Sequence, residues 1–246
     1  MRRILLIFSL VFLPLLAHAE GEGANLMHAN VDLSDRASLQ RGARLFMNYC
    51  LSCHAARAMR YNRMGHDLGI SDALVKKYLM FTTTKVGDTM QVAMRPADAK
   101  KWFGVAPPDL SVIARARGAD WLYTYLQSFY IDPKRPTGVN NLVFKDVAMP
   151  DVLWNMQGWQ KPVYKTVKDA DGKDIKVIDH LELVQPGSES KAQFRGSVHD
   201  LVNFLVYMGE PARLIRTSMG GWVLLFIAVL TVLLYFVKKE YWKDVH

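Results

Sequence analysis

The two cysteines of this 246-residue chain lie three positions apart, in the segment Cys50-Leu51-Ser52-Cys53-His54. On one turn of a helix, two such thiols can each bond to a haem vinyl group, and the next residue brings an imidazole to the iron. A redox-active thiol pair needs a βαβ context, and a zinc site needs further Cys or His ligands. The pattern therefore favours covalent haem attachment through Cys50 and Cys53, with His54 on the iron. A haem is a large apolar plate, so the core must be built around it.

The N-terminus has the pattern of a secretory signal peptide. Met1-Arg2-Arg3 is followed by an apolar stretch at residues 4–16 and by Ala17-His18-Ala19. The apolar stretch is too short to span a membrane, and the A-x-A pattern is typical of a cleavage site. We expect a signal peptide at residues 1–19 and export of the mature chain to the periplasm, where c-type haem is attached.

A second apolar stretch, residues 219–237, carries no charge. Its length matches the roughly 20 residues with which a helix crosses the hydrocarbon core. Lys238, Lys239 and Lys243 follow at once, which places the C-terminus in the cytoplasm by the positive-inside rule. We expect a single-pass protein of the bacterial inner membrane, with a periplasmic haem domain at 20–212, an anchor at 213–238 and a cytoplasmic tail at 239–246.

The exported domain is predicted to be mostly α-helical. Apolar residues at helical spacing predict four helices, at residues 34–50 with Ser34 as N-cap, and at 71–79, 121–129 and 192–208. The polar stretch 165–187 is predicted to form a surface hairpin or insert. The fold class is thus a cytochrome c-like haem domain with long loops and one C-terminal transmembrane helix.

The chain is basic, with a formal net charge of +8 at pH 7. Basicity is typical of proteins that bind nucleic acid or anionic lipid. Here the basic residues are scattered, with no dense run and no nucleic-acid motif. We expect a lipid membrane as one partner and no nucleic acid.

A second axial ligand decides whether a haem iron transfers electrons or binds an external ligand. Chemistry favours Met149, because Pro150 pushes it towards an extended conformation from which its side chain can reach the far haem face. Met94 is the second candidate. A bis-histidine site is an alternative, and it would use one of three residues: His66, His180 or His199.

The segment Ala106-Pro107-Pro108 cannot lie inside a helix, and it offers carbonyl groups with few competing donors. A histidine that binds a metal normally donates its other ring nitrogen to such an acceptor. We therefore expect this turn near His54. Arg115 and Arg117 follow, and each can either pair with a haem propionate or lie on a solvated helix face.

The order of these motifs resembles the cytochrome c1 family, the haem subunits of the respiratory cytochrome bc1 complex (quinol–cytochrome c oxidoreductase). The resemblance covers nearly the whole chain. It rests on the following segments in order: RGARLF (41–46), CLSCH (50–54), RYNR (60–63), APPDLS (106–111), RAR (115–117), MP with VLW (149–154), and DLVNFL with GEP (200–211).

The resemblance implies one covalently attached haem c, with His54 and Met149 as axial iron ligands. It assigns the remaining cofactor contacts to Cys50 and Cys53 as thioether attachments, Pro107 and Pro108 on the haem edge, and Arg117 at a propionate. It also implies cytochrome b and a Rieske iron–sulfur protein as partners in a dimeric complex. A soluble or tethered c-type cytochrome would accept the electron.

Two features depart from the family pattern. Trp121 stands where relatives often have a tyrosine that can hydrogen-bond a propionate. Acidic runs that would attract a basic cytochrome c are missing, so the sequence does not identify the acceptor.

The resemblance leads us to expect an electron-transfer subunit with no catalytic site of its own, because quinol oxidation would occur in another subunit. One alternative is a membrane-anchored cytochrome that serves an oxidase or a dehydrogenase. Another is a haem enzyme or sensor with an open sixth position on the iron.

Overall fold

The computed structural model describes residues 26–92, 94–169 and 171–244. The predicted signal peptide at residues 1–19 lies outside these ranges. The described helices are α1 (Arg36–Leu45), α2 (Tyr61–Leu68), α3 (Asp72–Tyr78), α4 (Pro96–Phe103), α5 (Ile113–Arg117), α6 (Ala119–Tyr125), α7 (Trp154–Gln157), α8 (Lys191–Gly209) and α9 (Arg213–Tyr241). A π-helical turn, Phe46–Cys50, continues α1.

The described strands form three antiparallel pairs. They are β1 (Ala56–Arg60) with β2 (Thr89–Met90), β3 (Phe129–Ile131) with β4 (Val139–Asn141), and β5 (Gly158–Lys168) with β6 (Asp174–Pro186). The mostly α-helical fold class is confirmed, with long loops between the helices and one long apolar helix at the C-terminal end.

The first predicted helix is present, but its predicted N-cap is wrong. Asp35, not Ser34, caps α1, because its carboxylate accepts the Ser38 N–H at 2.9 Å. Ser34 is instead bound through its own N–H and hydroxyl to the carboxylate of Asp32. Both residues have side chains that can cap a helix, and the turn in which Ser34 binds Asp32 leaves Asp35 as the cap.

The third predicted helix is four residues too long at its C-terminal end. Helix α6 ends at Tyr125, and Phe129 already belongs to β3. The carbonyl of Tyr125 accepts the side-chain amide of Asn141 at 2.8 Å, and Phe129 pairs with Asn141 across the β3–β4 ladder. Contacts with a segment distant in sequence therefore overrode the local helical spacing.

The predicted polar hairpin is present, and it is longer than the stretch 165–187. Strands β5 and β6 begin to pair at Gly158 and Pro186 and stay paired as far as Lys168 and Asp174. Most residues of this ribbon are exposed or half-buried, apart from Gly158. The N-terminal half of β5 carries apolar residues, so the polar pattern that marked residues 165–187 did not extend to it.

The core of the domain lies where α1 crosses α8. Gly42 on α1 lies so close to α8 that a β-carbon there would be 2.7 Å from the Cβ of Phe204 and closer still to the Asp200 carbonyl oxygen. Phe46 and Phe204, both fully buried, pack with ring centroids 5.5 Å apart. The two helices therefore approach through backbone at this point.

Polar contacts fix the register of α8 against α1 and α2. The Arg41 guanidinium binds the carboxylate of Asp200 with two hydrogen bonds, at 2.5 and 2.9 Å. The buried Asn203 amide donates to the hydroxyl of Ser38 at 2.8 Å. One helix turn further on, the buried Tyr207 hydroxyl donates to Asp67 of α2 at 2.9 Å. Each bond depends on the rotation of α8 about its axis, so they permit one packing arrangement.

Helix α9 follows α8 after the short link Glu210-Pro211-Ala212. It has 29 residues and none of them is buried. At 1.5 Å per residue it is about 44 Å long, enough to cross the hydrocarbon core with turns to spare. Within the described ranges it is the helix whose length and apolar composition suit a membrane span.

The close approach at Gly42 makes a specific prediction. Gly42→Ala should lower the free energy of unfolding by at least about 2 kcal/mol, because the new methyl group meets backbone that cannot move aside. The midpoint of thermal unfolding of the detergent-solubilised protein, followed by circular dichroism, should fall by about 5 °C or more.

The matched control is Gly196→Ala on the same helix pair. A β-carbon at Gly196 meets no atom within 4 Å. Alanine has the higher helix propensity, so this change should stabilise the protein by about 0.5–1 kcal/mol. Equal effects of the two substitutions would contradict the proposed backbone contact.

Candidate functional site

A cavity of about 330 Å³ lies between the Cys50–His54 motif, helices α5, α6 and α8, and the loop that precedes α7. Its walls are mainly apolar, and Leu201 and Leu205 of α8 contribute to them. The structure brings all the predicted site residues to this cavity: Cys50, Cys53, His54, Pro107, Pro108, Arg117 and Met149. They come from four separate segments of the chain.

The π-helical turn ends at Cys50, and the turn that follows it brings Cys53 and His54 to the cavity. His54 N–H and Cys53 N–H both donate to the Cys50 carbonyl, at 2.8 and 3.1 Å, which keeps the motif in a tight turn. The two cysteines are not joined to each other by a disulfide bond. Burial, with a smaller contribution from Cys53, raises the pKa of the Cys50 thiol to about 12. A redox-active thiol pair needs a lowered thiol pKa, so this environment does not suit that alternative.

The imidazole of His54 is held in one orientation by Pro108. Its Nδ1 lies 2.8 Å from the Pro108 carbonyl oxygen, which can only accept a hydrogen bond. Nδ1 therefore carries the proton, and Nε2 keeps its lone pair. Burial lowers the pKa of His54, although the bond to Pro108 opposes this shift. A neutral imidazole with a free Nε2 is the form that binds a metal ion.

The Pro107-Pro108 turn is held against the residues that follow the motif. Leu110 N–H donates to the Ala55 carbonyl at 2.8 Å, and the Asp109 carboxylate accepts the Arg57 N–H at 3.0 Å. The Ser111 hydroxyl accepts the Ala58 N–H at 3.0 Å. The sequence Asp-Leu-Ser after the prolines thus supplies the polar groups that position the Pro108 carbonyl beside His54.

Met149 reaches the cavity from the loop between β4 and α7. Its sulfur accepts a hydrogen bond from the Tyr125 hydroxyl at 3.3 Å. The Tyr125 ring is stacked on Trp121, with centroids 4.8 Å apart, and meets the edge of Phe129 at 5.1 Å. Burial, aided by the charge of Asp151, raises the pKa of Tyr125, so its hydroxyl remains a proton donor at physiological pH.

Arg117 lies at the cavity between two aromatic rings. Its guanidinium carbon is 5.1 Å from the centroid of the Trp121 ring and 5.7 Å from that of Phe144. Arg115 points elsewhere, because its side chain packs near Gly209 at the end of α8. Trp121 also lines the cavity.

The other candidate axial ligands lie away from the cavity lining within the described ranges. Met94 precedes α4, and His66 on α2 lies beside Asp67. His180 on β6 is bound to Asp179, and Nε2 of His199 on α8 lies 3.2 Å from the Asn30 carbonyl oxygen. Of the residues proposed for the sixth iron position, Met149 is the one that the fold brings to the same cavity as His54.

Sequence reasoning missed Tyr125 and Asp151. Tyr125 follows Trp121 by one helical turn, but an aromatic residue on a helix face is most often ordinary core. Asp151 is only 7% exposed and accepts the Leu153 N–H at 3.2 Å. Burial raises the pKa of Asp151 to about 6. Neither residue has a distinctive spacing, so no sequence signal marks them.

The residues present fit a haem c. Two thiols can form the thioether bonds, a neutral imidazole and a thioether sulfur can bind the iron, and a guanidinium can pair with a propionate. Apolar side chains form most of the wall, as a porphyrin plate requires. The set contains the donor types of a low-spin electron-transfer haem.

Comparison with known proteins agrees with this chemistry. A model of the Cytochrome C1 family matches residues 27–245. The chain belongs to the cytochrome c1 family. Cytochrome c1 of Allochromatium vinosum is 48% identical over 246 residues, which cover all of both chains. A protein of Nitrosomonas europaea named ammonia monooxygenase gamma subunit is 47% identical over 98% of this chain and 97% of its own. Cytochrome c1 of Rhodospirillum rubrum is 26% identical over 86% of this chain and 83% of its own.

Membership of the cytochrome c1 family decides the cofactor and the general role. The chain carries one covalently attached haem c. It is the haem subunit of a cytochrome bc1 complex and transfers electrons. As a cytochrome c1 with one long apolar helix, α9, it is a membrane-anchored subunit of a respiratory complex.

The position of the cysteines predicts how the haem is attached. Cys50→Ala and Cys53→Ala should each leave one thioether bond and one free vinyl group. The α band of the reduced pyridine haemochrome should then move to longer wavelength, because the free vinyl extends the conjugation of the porphyrin. The double variant should lose haem staining on a denaturing gel.

Ser52→Ala is the matched control, because Ser52 lies between the two cysteines and is exposed. It should leave the band position and the haem staining unchanged. An unshifted band in either single variant would show that the replaced cysteine carries no thioether bond.

Proposed function

We propose that this chain accepts electrons from a Rieske iron–sulfur protein and passes them to a c-type cytochrome, within a dimeric complex that also contains cytochrome b. The observation that carries the proposal is the single cavity in which Cys50, Cys53, His54 and Met149 meet. It lies in a domain joined to a membrane anchor by a three-residue link. The site is thus kept close to the membrane, where quinol is oxidised.

The bound haem supplies a one-electron redox couple, and the chain's own residues set the conditions under which it works. His54 presents Nε2 because Pro108 holds the opposite nitrogen. Leu201 and Leu205 exclude water from the cavity wall. An apolar wall favours the reduced haem, which is the redox form with the lower positive charge. Arg117 offers a positive charge at the rim.

Electron transfer is favoured over ligand binding by the contact between Met149 and Tyr125. A sixth position closed by a thioether leaves no room for an external ligand on the iron. The Tyr125 hydroxyl restrains the Met149 sulfur, and the Trp121 ring stacked on Tyr125 restrains the phenol in turn. Both supports argue against an enzyme or sensor with an open iron.

The proposed orientation places the haem domain, residues 20–212, in the periplasm and the tail, residues 239–246, in the cytoplasm. A signal peptide at residues 1–19 and the lysines after the anchor support it. Arg213 and Arg216 lie at the opposite end of the anchor, where positive charge would weaken the charge difference across the membrane. Arg216 is paired with Glu210 at 2.6 Å, so part of the positive charge on that side is neutralised.

Gentle solubilisation of membranes and affinity purification through this chain test the proposal. A cytochrome b and a Rieske protein should co-purify, and the preparation should reduce a c-type cytochrome with quinol as donor. Recovery of an oxidase or dehydrogenase core would contradict the proposal. Recovery of ammonia monooxygenase subunits, the assembly named for the Nitrosomonas europaea relative, would contradict it as well.

Replacement of the proposed sixth ligand should open the iron. In Met149→Leu, the absorption band of methionine–iron ligation should disappear, the midpoint potential should fall, and the reduced protein should bind carbon monoxide. Leucine keeps the apolar volume and removes the sulfur. An unchanged spectrum would move the ligand to another residue, and Met94→Leu is the comparison variant for that outcome.

Replacement of the tyrosine that supports Met149 should tune the iron without opening it. The hydroxyl withdraws electron density from the sulfur, which favours the reduced iron. Tyr125→Phe should therefore lower the midpoint potential by up to about 40 mV, since a neutral hydrogen bond is worth about 1 kcal/mol. The methionine–iron band should weaken or shift but remain.

Tyr123→Phe is the matched control for the tyrosine variant. The Tyr123 hydroxyl donates to the Arg195 carbonyl at 3.4 Å, so its contact lies on α8 and not on Met149. This variant should keep the wild-type potential. Equal shifts in both variants would mean that the effect of Tyr125 is a general loosening of α6.

A further inference from the structure

The mouth of the cavity is marked by lining residues that are also exposed. Val105 is 54% exposed and Phe144 is 43% exposed, and both line the cavity. Trp102 on α4 is 63% exposed and is followed by Phe103, which also lines the cavity. An apolar, exposed rim around a redox site is typical of a surface that partners cover transiently.

Basic residues adjoin the residues of this apolar rim in the sequence. Lys100 and Lys101 lie on α4 just before Trp102, and Lys145 follows Phe144. All three are exposed, and within the described part of the chain none of them is paired with a carboxylate. Arg117 lies at the cavity itself.

The acidic residues of the same segments are engaged elsewhere. Asp98 is paired with Arg95 at 2.6 Å, and Asp146 is paired with Arg135 at 3.0 Å. Asp109 accepts the backbone N–H groups of Arg57 and Ser111. Asp98 and Asp146 are therefore neutralised by ion pairs and Asp109 is held by backbone N–H groups, whereas the lysines face solvent.

The charge of the haem does not reverse this balance. Its two propionates would add two negative charges, and Arg117, which lines the cavity, would offset one of them. The three positive charges of Lys100, Lys101 and Lys145 exceed the remaining propionate charge and that of Asp109, so the net charge of these groups is positive. The electrostatic field that an approaching protein meets there is positive.

We propose that the rim formed by Trp102, Val105 and Phe144, with Lys100, Lys101 and Lys145 around it, is the docking surface for an acceptor cytochrome with an acidic face. The proposal rests on the proposed electron transfer to a c-type cytochrome and specifies that partner's charge. A basic cytochrome c would be repelled at this surface. Complementary charge would steer an acidic partner to the haem edge and raise the association rate.

The test uses the intact purified complex and two probes with the same haem and fold. Horse-heart cytochrome c is basic, and its succinylated form is acidic because its lysines become carboxylates. Reduction of each probe by quinol is measured between about 10 and about 150 mM ionic strength, over which the Debye length falls from about 30 to about 8 Å. For each probe, the dependence of the reduction rate on ionic strength is compared, and not the rate itself, because succinylation also alters the intrinsic reactivity of the probe.

The rate with the acidic probe should fall as salt rises, and the rate with the basic probe should rise. In the triple variant Lys100→Glu, Lys101→Glu, Lys145→Glu, the rate with the acidic probe at low salt should fall about tenfold and both salt slopes should reverse sign. A wild-type rate that falls with salt for the basic probe would overturn the proposal.

The matched control makes the same change of net charge on the β5–β6 hairpin, at Lys168, Lys173 and Lys176, which do not line the cavity. It should keep the wild-type slopes. A reversal of the slopes in this control would contradict the assignment of docking to the rim.

Single-turnover reduction of the chain's own haem by quinol is recorded in every variant. If the wild type does not reduce its own haem with quinol, the proposed function fails. If it does, and the salt slopes are opposite to those expected above, only the proposed acidic charge of the partner is wrong.

Discussion

The backbone contact between α1 and α8 at Gly42 is the constraint on which the other parts of the structure depend. It brings Phe46 against Phe204 and lets the π-helical turn after α1 emerge beside α8. Cys50 then meets a wall that α8 supplies through Leu201 and Leu205. The same helix leads, after a short link, into the anchor α9. One crossing therefore sets the position of the haem-attachment motif relative to both the cavity and the membrane.

The long loops of this domain have a physical role at the cofactor site. Prolines 107 and 108 lack N–H groups, so their segment is free of internal ladder bonds and is held through Asp109 and Ser111 instead. This arrangement leaves the Pro108 carbonyl available to His54. Met149 enters from another loop and is supported by a tyrosine on α6. Helices build the wall of the cavity, whereas loops carry the groups that would contact the iron.

The surface around the site is organised differently from its interior. The cavity wall is mainly apolar, as a buried electron-transfer centre requires. At the mouth, the exposed aromatic and aliphatic residues adjoin lysines that form no ion pair with any described residue, while the nearby carboxylates are engaged by arginines and backbone N–H groups. Burial and ligation set the potential of such a centre, whereas the proposed role of the charges at the rim is to select the partner.

The sequence by itself determined the chemistry that depends on covalent order. Cys50, Cys53 and His54 are adjacent, the apolar anchor is continuous, and the Pro-Pro turn cannot be helical, so each carries a local signal. Tertiary structure decided what depends on segments distant in the chain. It ended α6 at Tyr125 through Asn141, and it placed the hydroxyl of Tyr125 on the sulfur of Met149. These outcomes follow from packing between elements, and no spacing of residues along one element records which side chains another element will bring to it.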